Sequence, residues 1–299
     1  MVSRRRVAPL SEPLAGGARP AGTVARVFTV AMMVVALATL DRVPAWPWLL
    51  TCDALVLVLV ALVEHAPSSG RLAAVAGLWY PFLLIPTYYG QLGVIGLGVG
   101  HVHDLAMQRW DAALFGGQPS VAWHLAMPWP ALSWVLHACY LSHYLIFIGV
   151  PLWLWWRAGR EDCERAVFTI MLAFFVCYLA FALFPVAGPG YWFPRPAGPE
   201  SRVATARLVY GVLDSGSSYG TAFPSSHVAA SWAAVLVARK RAPVLAAILA
   251  PVALGLAAGT VYGQFHYAVD AAAGAAVGLV CFGAGDRLRT RLARPGTPS

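Results

Sequence analysis

Tyr219-Gly220-Thr221-Ala222-Phe223-Pro224-Ser225-Ser226-His227 leads straight into an apolar run from Val228 to Ala238. Proline is favoured in the first turn of a helix, where its missing N–H would be unsatisfied anyway. The stretch therefore reads as a glycine-bearing loop that becomes a helix at Pro224. A helix start offers unpaired N–H groups and a partial positive charge, a setting that suits a phosphate. Gly220, Ser225 and Ser226 are candidate phosphate-binding positions. His227 adds a group that exchanges a proton near neutral pH. The competing reading is an ordinary helix cap with an incidental histidine.

A second stretch, Thr260-Val261-Tyr262-Gly263-Gln264-Phe265-His266-Tyr267-Ala268-Val269-Asp270, opens another apolar run. His266 and Asp270 are four residues apart and share a face if the segment is helical. A carboxylate on one imidazole nitrogen sets the tautomer and leaves the other nitrogen as a nucleophile. The blander alternative is a pair that satisfies itself at a helix end. Ionisable groups beside membrane spans are functional by default, which favours the first reading.

The whole chain sets the context. Of its 299 residues, 59% are apolar and 11% charged, against about 25% charged in a soluble domain. The composition predicts an all-α, polytopic membrane bundle. Eight spans are expected: 24–40, 48–63, 72–99, 132–156, 166–184, 224–238, 244–262 and 266–282. The sixth and eighth are short, and each begins at one of the two motifs. Residues 1–22 read as a cytoplasmic tail, 23–100 as N-terminal spans, 101–285 as the catalytic part and 286–299 as a basic tail. The apolar run near the N-terminus reads as an uncleaved anchor, because many spans follow it.

The net charge of +8 does not point to nucleic acid. The basic residues fall in short clusters between apolar runs, as the positive-inside rule describes. With the N-terminus inside, sixteen of the 21 Lys and Arg fall on the cytoplasmic side, including Arg4–Arg6, Arg157, Arg160, Arg165, Arg239–Arg241 and Arg287–Arg294. The outer side keeps Arg42, Arg109, Arg195, Arg202 and Arg207. This arrangement places both motifs and the 186–222 loop on one outer face; the expected location is the plasma (inner) membrane. The five cysteines are scattered without CxxC spacing, so neither disulfides nor a zinc site is indicated.

Between the third and fourth spans, residues 101–116 read as an amphipathic helix in the outer interface, with Leu105, Trp110, Ala113 and Leu114 on one stripe. His101-x-His103-Asp104 has a weak metal-ligand look, but no third cluster has ligand spacing. Trp residues near span ends read as an aromatic belt. His137 and His143, in the fourth span, read as packing or hydrogen-bonding residues. The proline- and glycine-rich 188–196 segment excludes regular helix. Arg195, Arg202 and Arg207 compete to supply the fixed positive charge that phosphoryl transfer needs.

Pro224-Ser225-Ser226-His227 and His266-Tyr267-Ala268-Val269-Asp270 together resemble the second and third motifs of the type 2 phosphatidic acid phosphatase superfamily. The Phe184–Pro189 turn, Val261-Tyr262 with His266-Tyr267, and Asp111–Gly116 look like its inositol phosphorylceramide synthase branch. The resemblance covers roughly 101–283. Thr260 stands where the wider family often has Arg, Gly188 at the expected Lys, and Gly190 where an Arg is common. The resemblance implies that His266 attacks phosphorus and becomes a phosphohistidine, that Asp270 supports it, and that His227 protonates the leaving lipid oxygen. It implies a lipid phosphate or phospholipid substrate, with no metal or cofactor, and either water or an alcohol such as inositol as acceptor. Two rival classes are a proton-coupled transporter using His227, His266 and Asp270 as a relay, and an intramembrane protease using Ser226 or Ser231. The first lacks repeat halves and the second lacks a Gly-x-Ser-Gly setting.

Overall fold

The computed structural model describes residues 20–66 and 71–293. Arg4, Arg5, Arg6, Arg19 and Arg294, which entered the charge count, lie outside the described residues. The all-α expectation holds. Among the described residues there are eleven α-helices, and the only extended pairing is a parallel bridge between Val186 and Thr221.

Seven helices are long and apolar enough to cross a membrane, which marks an integral membrane protein. They are α1 (Pro20–Ala38), α2 (Trp46–His65), α3 (Arg71–Val99), α6 (Pro130–Ala158), α7 (Arg160–Leu183), α10 (Pro243–Tyr262) and α11 (Ala268–Ala293). The expected sixth span is the helix α9 (Ser226–Arg239), with 14 residues. At 1.5 Å per residue it is about 21 Å long, short of the roughly 30 Å of hydrocarbon. It needs no greater length, because α6, α7, α10 and α11 surround it and bury almost all of its side chains.

Three shorter helices are α4 (Asp104–Phe115), α5 (Pro119–Ala126) and α8 (Ala204–Gly216). As expected, residues 188–196 form no α-helix, only a 3-10 turn at Pro189–Tyr191. Helix α8, later in the same outer segment, was not anticipated. Its apolar residues keep a helical period, but the Pro- and Gly-rich stretch before it made the whole 186–222 segment read as a loop; the residues it buries are Ala206 and Val209.

The two ends of the bundle differ in chemistry. At one end the start of α7 meets the ends of α9 and α11 in an ion-pair network: Arg165–Asp286 at 2.9 Å, Lys240–Asp286 at 2.6 Å and Arg241–Asp162 at 3.1 Å. At the other end the same three helices present Phe184, His227 and Asp270.

Close approach between α9 and α11 sets the position of that second end. A side chain at Gly274 would collide with the Ser225 carbonyl, and one at Gly278 with the Ala229 carbonyl. Small residues four apart let membrane helices touch through backbone. The Ser225 N–H then donates to the Asp270 carbonyl at 2.9 Å. Helix α3 docks the same way: Gly93 and Gly96 leave room only for Ser218 and Tyr219. Ser218 Oγ donates to the Tyr89 carbonyl at 2.8 Å.

Gly274→Val should therefore lower the thermal stability of the detergent-purified protein by about 1–3 kcal/mol, the usual cost of overpacking. Gly283→Val is the control, because nothing lies within 4 Å of its added Cβ. Equal melting temperatures for the two variants would refute this account of the α9–α11 contact.

Candidate active site

Helix α4 turns its apolar stripe outward, with Leu105, Trp110 and Leu114 exposed. The residues it buries are Asp104, Met107 and Asp111. The reason is hydrogen bonding. Asp104 Oδ2 accepts from the Ala187 N–H at 2.8 Å, while Oδ1 accepts from the Gly188 N–H at 2.8 Å and the Tyr267 hydroxyl at 3.0 Å. Asp111 accepts from the N–H groups of Ala268 at 3.0 Å and Val269 at 2.9 Å, the first turn of α11. A carboxylate is favoured at a helix N-terminus. Burial pushes the Asp111 carboxyl up, and these two bonds oppose the rise. Asp104 is therefore committed to backbone, and His103 stacks flat on Phe184 with ring centres 4.0 Å apart.

His266 sits between α10 and α11. Gln264 takes φ 60°, which turns the chain sharply out of α10. The Thr260 carbonyl then collects the N–H groups of Phe265 at 2.9 Å and His266 at 3.0 Å. Thr260 itself is buried within α10. His266 Nδ1 lies 3.4 Å from Asp270 Oδ2, an ion-pair separation rather than a formed hydrogen bond. The same oxygen accepts the Tyr267 N–H at 2.9 Å. Burial lowers the His266 pKa to about 4, partly offset by a hydrogen bond with the Ala222 backbone. The imidazole is thus neutral near pH 7 and has a lone pair available for attack.

His227 is the second residue of α9. Its Nε2 lies 3.3 Å from the Tyr140 hydroxyl. His143 packs on it with ring centres 4.5 Å apart and is itself held by Ser231 Oγ at 3.0 Å. The rings of His227 and His266 stand 6.2 Å apart, at 60°. Both line one cavity of about 340 Å³, together with Tyr89, Tyr140, Tyr210, Asp214 and Arg195. A second, apolar cavity of about 450 Å³ adjoins it between α3, α6, α7 and α8.

The other sequence candidates divide. Arg195 lines the first cavity and is the only Lys or Arg among the described residues that do so. It makes a bidentate pair with Asp214 at 2.6 and 3.1 Å. Arg202 and Arg207 are exposed on a 3-10 turn and on α8, and neither lines that cavity. Ser225 caps α9 and is wholly buried, while Ser226 lines the apolar cavity. Gly220, at φ 84°, serves the turn that lets its carbonyl accept the Val186 N–H at 3.2 Å. Gly188, at φ 104°, passes the Phe265 carbonyl so closely that an added Cβ would sit 3.1 Å away. That geometry explains glycine where a lysine was expected. Tyr89, Tyr140, Tyr210 and Asp214 were missed, because tyrosines in apolar runs look like core. The one available signal concerned α4: Asp104 and Asp111 are seven apart, two turns on one face.

The depressed His266 pKa carries a sign for stability. Between about pH 6.5 and 4 the unfolded chain binds a proton at this position that the folded chain refuses, so folding weakens as pH falls through that window. His266→Gln should lose less thermal stability than the parent between pH 7 and pH 5. An identical loss would show that the ring is not held neutral by burial.

A family model described as the PAP2 superfamily matches residues 105–284. The match begins at α4, ends within α11 and contains every cavity residue named above except Tyr89. No curated protein and no solved structure matches the chain. The chain belongs to the PAP2 superfamily, whose members are phosphatases or phosphotransferases.

Proposed function

We propose that this protein is an integral membrane enzyme that takes a phosphoryl or phospho-head-group from a lipid through a phosphohistidine. The observation that carries this reading is the pair of imidazoles 6.2 Å apart on one cavity. Reacting atoms in a near-attack arrangement are about 3–3.5 Å apart, so one phosphorus between the rings is within reach of both. His266 is the nucleophile and Asp270 its support. His227 is the acid that supplies the proton for the leaving oxygen and then the base that activates the acceptor. Arg195 is the cation for the phosphoryl oxygens.

The adjoining apolar cavity favours a lipid as the donor. Its wall combines Phe82, Ile85, Phe147, Phe174 and Tyr178 with His227, so acyl chains and phosphate can be held at once. The acceptor is water or an alcohol. Likeness to the inositol phosphorylceramide synthase branch favours head-group transfer to or from a polyol. The ion-pair network gathers Arg165, Lys240, Arg241 and Arg289 at the end opposite the histidines. By the positive-inside rule this favours an extracytoplasmic cavity, which fits our reading of a plasma-membrane enzyme with an outward-facing site.

Purified protein given a radiolabelled lipid phosphate should form an acid-labile phosphoenzyme and be inhibited by vanadate. His266→Ala should form no phosphoenzyme and fall to background turnover. His227→Ala should lose about 10²–10⁴-fold in kcat, the usual worth of a general acid. Turnover that survives His266→Ala would end the proposal.

A further inference from the structure

The polar and apolar cavities share five wall residues: Tyr89, Tyr140, Leu213, Ser217 and His227. A lipid with its phosphate in one cavity and its chains in the other must place the ester oxygen at this seam. That oxygen is the atom that needs a proton when its bond to phosphorus breaks. Among the five, Tyr140 is tied directly to His227, with its hydroxyl 3.3 Å from Nε2. Their rings stack at 5.2 Å and 28°. Tyr89 is engaged elsewhere, accepting the Ser218 N–H at 3.2 Å. Tyr140 is 2% exposed, and the apolar wall it joins holds no Asp, Glu, Lys or Arg. A phenol in such a place can receive one proton while giving up another and remain neutral throughout.

We propose that Tyr140 relays the proton from His227 to the leaving oxygen, an inference that rests on the phosphohistidine reading above. A His266 nitrogen forms the bond to phosphorus, and the bond from phosphorus to the lipid oxygen breaks. The oxygen keeps the electron pair and takes the Tyr140 hydroxyl proton, while Tyr140 takes the Nε2 proton of His227. Burial and the neighbouring His266 favour a neutral His227. The negative charge of a bound phosphate opposes both and favours the imidazolium with which the step begins, and the ring ends neutral. The lipid departs as an alcohol and the phosphoryl group stays on His266. Tyr140 thereby bridges the gap between an acid fixed at the start of α9 and an oxygen lying toward the apolar cavity.

The test compares leaving groups. An alkyl lipid phosphate needs protonation of its departing oxygen, whereas p-nitrophenyl phosphate expels a stable phenolate without it. Tyr140→Phe should lower kcat for the lipid substrate by about 10- to 100-fold, within the range of proton-transfer catalysis, and leave kcat for the aryl substrate within about threefold. Replacing Tyr140 with 3-fluorotyrosine, which keeps the hydroxyl, should retain lipid turnover. Equal losses on both substrates, or no loss on the lipid, would overturn the relay. A fluorotyrosine protein as impaired as Tyr140→Phe would overturn it as well. A parent enzyme that turns over neither substrate and forms no phosphoenzyme would instead sink the phosphohistidine reading.

Discussion

Two buried carboxylates on one short helix hold the His266-bearing cavity segment and the 187–188 turn together. Asp104 collects the N–H groups of the 187–188 turn and the hydroxyl of Tyr267, the residue next to His266. Asp111, two turns later, collects the first N–H groups of α11, immediately before Asp270. Hydrogen bonds to charged groups are worth about 1.5–3 kcal/mol each, and a buried carboxylate left unpaired is costly. Both facts favour one arrangement of the three segments. Helix α4 inverts the usual pattern, burying its acids while Leu105, Trp110 and Leu114 face outward.

Backbone contact does the remaining alignment. Gly274 and Gly278 bring α11 onto α9, and Gly93 and Gly96 bring α3 onto the 218–219 loop. The seam between the polar and apolar cavities is built on these contacts. Tyr89 enters it from α3, outside the segment matched by the family, so the N-terminal spans share in the site rather than merely anchoring it. The cavity holds little free charge. Its one guanidinium is already paired with Asp214, and Thr260, Gly188 and Gly190 supply no cation. Neutral hydroxyls therefore carry much of the polar character of the wall.

Short-range features were legible. The apolar run after Pro224 marked a helix, but Pro224 is not in its first turn: it precedes the cap Ser225, and the helix begins at Ser226. Span positions followed from hydropathy, and the i, i+4 pair of His266 and Asp270 came out adjacent. Helix α9 was read as a span because apolarity does not distinguish a helix facing lipid from one enclosed by other helices. Helix α8 was missed because the Pro- and Gly-rich stretch before it made the whole outer segment read as a loop, although its own apolar residues keep a helical period. Arg195, Arg202 and Arg207 looked equivalent because all three share one outer segment, and only the path of that segment separates them.

The amino-acid order alone determined the helical class, which segments are apolar enough to span a membrane and where the His and Asp residues of the two motifs lie. These depend on apolar length and residue spacing, which are properties of a residue and its near neighbours. Tertiary structure decided that His227 and His266 share one cavity, that Arg195 reaches it, and that Tyr140 touches His227 where that cavity meets the apolar one. Those relations join separate helices and loops, and helical periodicity says which residues share a face without saying which face meets which.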